Sequence, residues 1–183
     1  MFQRLPLSIH GALALGSFAV QQFALKTVNA RYVRSEHPVS FAQGQTSFDA
    51  GAIKGWYAAM EAGGTMEIYV QTQLIDFGFI ASMMLFGVLV GSFLARIAWQ
   101  KGIARLLGLA AAVLVPMGAG FDVIENLISF VMLADSQGFA DWIALPYSGF
   151  AVAKFAAIGA GYMGLLASVV INLPERLWRR RAV

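Results

Sequence analysis

Long runs of apolar residues, with few polar interruptions, make up most of the chain. A membrane-spanning helix needs about 20 mostly apolar residues to cross roughly 30 Å of hydrocarbon, and the apolar residues here do not alternate with polar ones as they do in a membrane β-strand. The pattern therefore predicts an all-α protein, a single transmembrane domain over residues 1–183 built as a bundle of four spanning helices. These helices cover about residues 7–25, 68–95, 106–133 and 145–173.

The first of these stretches is the most polar, because it contains His10 and two consecutive glutamines. Arg4 ahead of a short apolar core, and the small residues Val28 and Ala30 after it, also fit a cleaved secretory signal peptide. We expect the stretch to be retained as a helix, with cleavage as the alternative.

Composition excludes several classes of protein. Hydrophobic residues make up 58% of the chain and charged residues 13%, against roughly 25% charged residues in soluble domains. Neither a water-soluble globule nor a disordered chain is therefore expected. The absence of cysteine excludes disulfides, thiolate metal ligands and thiol nucleophiles.

Most basic residues are predicted to lie on one side of the membrane. Because Lys and Arg concentrate in cytoplasmic loops, we expect a multi-pass protein of the bacterial inner membrane with both termini in the cytoplasm. The basic C-terminal end directly follows an apolar helix, so it is expected to contact anionic lipid rather than nucleic acid. The residues of this basic side are Arg4, Arg96, Lys101, Arg105, Arg176, Arg179, Arg180 and Arg181.

The opposite side is predicted to carry the long connection of residues 27–66. Thr46 and Asp49 form a capping-box pattern, which predicts an amphipathic helix over about residues 47–62 that two consecutive glycines end. Because this helix carries aromatic residues such as Trp56, we expect it to lie in the membrane interface on that side. Two roles stay open: an aromatic belt that anchors the bundle, or a lid over a cavity between the helices.

Small residues recur at spacings that let helices approach closely in lipid. Gly87 and Gly91 form one such pair. Packing within the chain is the simplest role for this pair, and a homodimer face is the alternative.

Ionisable residues inside the predicted helices are the most informative feature. A charged group at the bilayer centre costs at least about 2.5 kcal/mol on insertion scales, so each should face the interior of the bundle and find a partner. From the helical rise, Asp76, Glu125 and Lys154 lie at a similar depth, about 12–15 Å below the outer boundary. Asp122, Glu125 and Asn126 share one helix face, because positions i, i+3 and i+4 are neighbours.

Other polar side chains lie near this layer. On the second predicted helix they follow the stripe that contains Asp76, and on the fourth they lie two turns from Lys154. We expect them to line a cavity together with the amide that follows Glu125. The predicted ligand-binding residues are Tyr69, Gln73, Asn126 and Tyr147.

Acids outnumber bases in the layer. With Asp76, Asp122 and Glu125 all ionised against Lys154, two negative charges would be uncompensated. We therefore expect Lys154 to pair with one carboxylate while another carboxyl group stays protonated, an arrangement that suits general acid–base catalysis. Because Lys154 would also repel a cation, no metal ion or other cofactor is expected.

Three segments carry a resemblance to a known family. They are Tyr69-x6-Asp76-x2-Phe79, Pro116-x5-Asp122-x2-Glu125-Asn126 and Lys154. They resemble a family of uncharacterised small bacterial four-helix membrane proteins over about residues 48–170, and the Asp-x-x-Glu-Asn motif is the most specific element. In layout alone, the chain is similar to the emopamil-binding and sigma-2 receptor superfamily and to fungal integral-membrane terpene cyclases. That similarity implies an apolar ligand and protonation by buried acids.

These observations lead to two hypotheses. The first is a membrane protein that binds a lipophilic small molecule at the acidic layer. If it is an enzyme, the reaction is a proton-driven isomerisation or cyclisation of an isoprenoid or other lipid. Asp122 or Glu125 would then donate the proton, Asp76 would stabilise positive charge on the substrate, and Lys154 would set which carboxyl stays ionised. The alternative is a non-catalytic accessory or scaffold subunit, within a homo-oligomer or larger membrane complex, that uses the layer as an assembly clamp.

Overall fold

The regular structure of the chain is helical throughout the part that the computed structural model describes. That part comprises residues 4–98 and 102–180, with residues 173–180 described by their backbone only, so Lys101, Arg181 and the side chains of the basic C-terminal end lie outside the described set. The helices are α1 (Leu7–Arg34), α2 (Phe41–Gln45), α3 (Ala50–Ala62), α4 (Met66–Ile97), α5 (Ile103–Ala134), a 3-10 helix (Asp141–Ile143) and α6 (Ala144–Arg180).

Three segments are long and apolar enough to cross a membrane. Within the described residues they are Met66–Ile97, Ile103–Ala134 and Asp141–Asn172, each of 32 residues, where about 20 suffice. The 28-residue helix α1 is not among them. The described chain is therefore helical, and these three segments indicate a membrane protein.

Helix α1 is longer than the sequence pattern predicts. Residues from Thr27 onward, expected to begin the outer connection, continue the helix to Arg34. The Thr27 hydroxyl donates to the carbonyl of Phe23 one turn earlier, as a threonine within a helix can do. The chain leaves the helix at Glu36, whose φ of 52° lies in the left-handed region.

The amphipathic helix α3 begins with a different cap from the one predicted. Asp49 is the N-cap, and its Oδ1 accepts a hydrogen bond from the backbone N–H of Ala52 at 3.0 Å. Thr46 is not part of a capping box, because it ends α2 and its hydroxyl donates to Ala42 O. At the other end, Gly64 adopts a φ of +69°, which glycine tolerates without steric cost.

The described residues form two compact units. The first, here called the polar unit, comprises Gln22–Ala81 and Ala119–Phe155. Its apolar core joins α3 to residues of the three long helices. The principal members of this core are Ile53, Tyr57, Met60, Tyr69, Met132 and Tyr147.

The second unit, here called the glycine-packed unit, comprises Met1–Gln21, Ser82–Gly118 and Ala156–Val183. A Cβ atom at Gly87 would lie 2.6 Å from Val115 Cβ, and one at Gly91 would lie 2.6 Å from the backbone nitrogen of Ala112. Helix α5 of the same chain therefore covers this face, and the hypothesis that Gly87 and Gly91 form a homodimer face is wrong.

Candidate functional site

An ion-paired lysine lies at the centre of the polar unit. Lys154 Nζ, from α6, is 2.7 Å from Asp122 Oδ1 and 2.5 Å from Glu125 Oε2, both on α5. The three residues are at most 3% exposed. Since Asp122 and Glu125 are three positions apart on one helix face, a single ammonium group reaches both. The sequence predicted a pairing with one carboxylate, and the structure has Lys154 between two.

The third acid has a separate partner. Asn126 Nδ2 donates to Asp76 Oδ2 at 2.7 Å, which joins α5 to α4. Asn126 is fully buried and Asp76 is 2% exposed. The amide donor partly compensates the lost hydration of the carboxylate, because a buried charge without hydrogen bonds is costly.

A second hydrogen-bonded group joins α4 to α5. Gln73 Nε2 donates to Ser129 Oγ at 2.8 Å and to the Tyr69 hydroxyl at 3.3 Å. Tyr69 and Tyr147 are both buried, and both lie within electrostatic range of the Glu125 carboxyl group. The structure therefore places all eight predicted site residues in the polar unit. Seven of them make one of these hydrogen bonds or ion pairs with another site residue, and Tyr147 packs in the same core as Tyr69.

Helix α3 adds a tyrosine to this group. Tyr57 is 1% exposed and its ring lies 5.9 Å from the ring of Tyr69. Burial raises the pKa of Tyr57 to about 12, and the neighbouring carboxyl group of Glu125 contributes to the rise. The hydroxyl group therefore stays protonated at neutral pH and offers a hydrogen-bond donor as well as an acceptor.

Several buried polar atoms of the site have no hydrogen-bond partner among the described residues. They are Tyr57 OH, Gln73 Oε1, Glu125 Oε1 and Asn126 Oδ1. Buried polar groups are nearly always paired in folded proteins. Gln73 Oε1 and Asn126 Oδ1 can only accept hydrogen bonds, and Glu125 Oε1 accepts them while its carboxyl group is ionised. The site as a whole is therefore deficient in donors.

The donor set does not suit a metal ion. In the described part of the chain, no three His, Asp or Glu side chains are grouped so that they could hold one. The ammonium group of Lys154 occupies the position between Asp122 and Glu125 that a cation would need.

Two pockets that described residues line lie outside the acidic site. One of about 530 Å³ lies in the glycine-packed unit, and one of about 300 Å³ is lined by α1 residues such as Lys26 and Arg31. Neither is lined by the acids or by Lys154.

Comparison with known proteins adds no relative: no family model, curated protein or solved structure matches the chain.

Sequence reasoning did not identify three contributors to the site, which are Tyr57, Ser129 and Phe41. Ser129 was not expected to take part, yet its position four residues after Glu125 places it on the same helix face, and that spacing is a usable signal. Phe41 of α2 lies with its ring 5.7 Å from Lys154 Nζ, within cation–π range. No periodicity connects a five-residue helix to α6, so this contact has no signal in the sequence.

Proposed function

We propose that this chain is a membrane protein that binds an amphiphile through the donor-deficient site of the polar unit. The observation that carries the proposal is the set of unpartnered acceptor oxygens on Gln73, Glu125 and Asn126. A ligand whose polar end is a hydroxyl or an amine would donate to them, and its apolar part would suit the hydrocarbon environment of α4, α5 and α6.

The charge of the site supports the same class of ligand. Three carboxyl groups contact one ammonium group and one amide, so an anionic polar end would be repelled. A neutral donor or a cation is accepted without that cost.

A catalytic role adds one requirement, which is a proton donor that faces the ligand. Glu125 in its protonated form is the residue proposed for it, because one of its oxygens binds Lys154 and the other has no partner among the described residues. The reaction class proposed is protonation of an isoprenoid or other lipid, followed by isomerisation or cyclisation. Asp122 and Lys154 would then act as positioning residues.

The topology proposed for this function has α1 as a fourth span and both termini in the cytoplasm of a bacterium. The support is the distribution of basic residues, since Arg96 and Arg105 flank the connection between α4 and α5 and cytoplasmic loops are rich in such residues. Fusion of a reporter that is active only in the periplasm would test it, with activity expected in the connection between α1 and α4 and not at either terminus.

Native mass spectrometry with lipid extraction tests the ligand proposal. We expect a bound non-protein mass in the purified protein, its loss from Glu125→Gln, and its retention in Glu67→Gln. Glu67 is the matched control because it lies on α4 in an exposed position. Spectra free of ligand for both the natural protein and Glu125→Gln would refute the proposal and leave buried water as the partner of the acceptors.

A second function, a scaffold subunit, is favoured by one observation. Every acid of the site has a partner, with Asp122 and Glu125 on Lys154 and Asp76 on Asn126. For this function we expect the protein to migrate in a larger assembly after mild detergent extraction, and to leave it when Lys154 is replaced by Met.

A further inference from the structure

An apolar groove of about 530 Å³ runs between α1, α4 and α6 within the glycine-packed unit. Its walls are aliphatic and aromatic side chains, and large apolar residues at its rim are open to the surroundings. Leu15 is 74% exposed, Leu166 58% and Phe18 48%. A cavity of this size is within the roughly 300–1,000 Å³ range of ligand pockets.

The groove spans most of the apolar depth of one membrane leaflet. On α4 its lining extends from Phe86 to Leu94, which is about 12 Å at the helical rise. On α1 it extends from Gly11 to Phe18, which is about 10 Å. Half of the hydrocarbon thickness of a bilayer is about 15 Å.

One end of the groove adjoins a buried polar network. The Phe93 ring, which lines the groove, packs edge-on against the His10 ring at 5.5 Å. Arg96 Nη1 lies 3.0 Å from His10 Nδ1, and Arg96 Nη2 donates to Leu5 O at 2.9 Å. Because a guanidinium group can only donate, His10 Nδ1 accepts and His10 Nε2 donates to Leu89 O. These two contacts hold the guanidinium group of Arg96 in place at this end of the groove.

We propose that the groove binds one acyl chain of an anionic phospholipid, with the lipid phosphate at Arg96. The apolar walls match the chain in chemistry and cover most of the apolar depth of one leaflet, and the guanidinium group matches the charge and geometry of a phosphate. The site is separate from the polar unit and does not depend on the function proposed for it.

The charge of the ligand distinguishes an anionic phospholipid from the other molecules that could occupy an apolar groove. A helix from a second copy of the chain would fill the groove without any need for a cation at its end. A neutral lipid would bind equally well with Arg96 or without it. Discrimination between anionic and zwitterionic lipids is therefore the property that distinguishes the proposal.

The test uses the full chain in mixed micelles with phosphatidylglycerol and phosphatidylcholine of identical acyl chains at equal concentration. Native mass spectrometry counts the lipid molecules that each protein retains. We expect one phosphatidylglycerol molecule on the monomer, retained about fivefold over phosphatidylcholine, the preference that one cation near a membrane surface provides. Arg96→Gln should reduce the ratio to about one, whereas Arg105→Gln should leave it unchanged.

A second pair of variants tests the groove itself. Leu15→Trp places bulk at the groove, and Val20→Trp places the same bulk at an exposed α1 position that does not line it. We expect at least a threefold loss of both lipids from Leu15→Trp and none from Val20→Trp. Equal retention of the two lipids by the natural protein, equal retention by the two Trp variants, or a dimer mass in place of a lipid adduct would each overturn the proposal. If Arg96→Gln fails to fold, the proposal is tested by the lipid ratio of the natural protein and by the lipid retention of Leu15→Trp and Val20→Trp.

Discussion

The polar unit and the glycine-packed unit hold their helices together by different means. In the polar unit, side chains bridge the helices through charge and hydrogen bonds, as Lys154 does with Asp122 and Glu125. In the glycine-packed unit, the absence of side chains at Gly87 and Gly91 lets α4 and α5 come into backbone contact.

The two kinds of helix contact differ in their energetic cost. Close backbone packing in lipid gains van der Waals contact and requires no polar atom. Buried ion pairs gain little net stability, because desolvation offsets their attraction. The cost of burying Asp76, Asp122, Glu125 and Lys154 together therefore supports the ligand-binding role proposed for the polar unit.

The largest effect should come from removing the one cation of the polar layer. Lys154→Met leaves Asp122 and Glu125 buried without their partner, and breaking a buried pair in this way costs about 3–5 kcal/mol. Lys54→Met is the matched control, because Lys54 pairs at 2.6 Å with Asp141, whose side chain is 80% exposed, and an exposed pair is worth about 1 kcal/mol or less. Denaturation of both variants in detergent measures the difference. Equal losses of stability would show that the buried pairing is not specific.

A smaller effect should follow from filling the glycine contacts. In Gly91→Ala the new Cβ would lie 2.6 Å from Ala112 N and 2.7 Å from Gly108 O, and overpacking of this kind costs about 1–3 kcal/mol. Gly78, on the same helix, has nothing within 4 Å of its added Cβ. Gly78→Ala should therefore stabilise the protein by up to about 1 kcal/mol. The pair is compared by thermal unfolding, and a Gly91→Ala variant as stable as Gly78→Ala would contradict the close packing.

The smallest effect concerns the pH dependence of the polar unit. Burial lowers the pKa of His37 below its ordinary value of 6.5, and its ring stacks on Tyr32 and packs against Trp56 and Tyr69. Since the unfolded chain then binds the proton more readily, the free energy of unfolding should fall as the pH drops below about 6.5. In His37→Gln this contribution is lost, so its melting temperature should fall less between pH 7.5 and pH 5.

The control for that measurement is Glu36→Gln, which changes charge at the adjacent exposed position. It should keep the steeper pH dependence of the natural protein. Parallel curves for His37→Gln and the natural protein would exclude His37 as the titrating group.

Much of the fold could be predicted from the pattern of residues. The apolar runs that contain Asp76, Glu125 and Lys154 correspond to α4, α5 and α6, because continuous apolar length is a local property of the chain. The ends of elements were less predictable. Thr27–Arg34 is polar enough to be taken for a loop, yet it continues α1. Thr46 has a plausible capping sequence, but its hydroxyl group donates to Ala42 O and Asp49 caps α3 instead.

The sequence by itself determined which residues share a helix face, since the 3.6-residue repeat places Asp122, Glu125 and Asn126 together in any α-helix. Only the tertiary structure decided the partners across helices. The rotation of each helix about its own axis places Lys154 within reach of two carboxylates and Asp76 within reach of Asn126. It also places Gly91 against α5. A helical repeat fixes angles within one helix and leaves the angle between two helices to be set by packing.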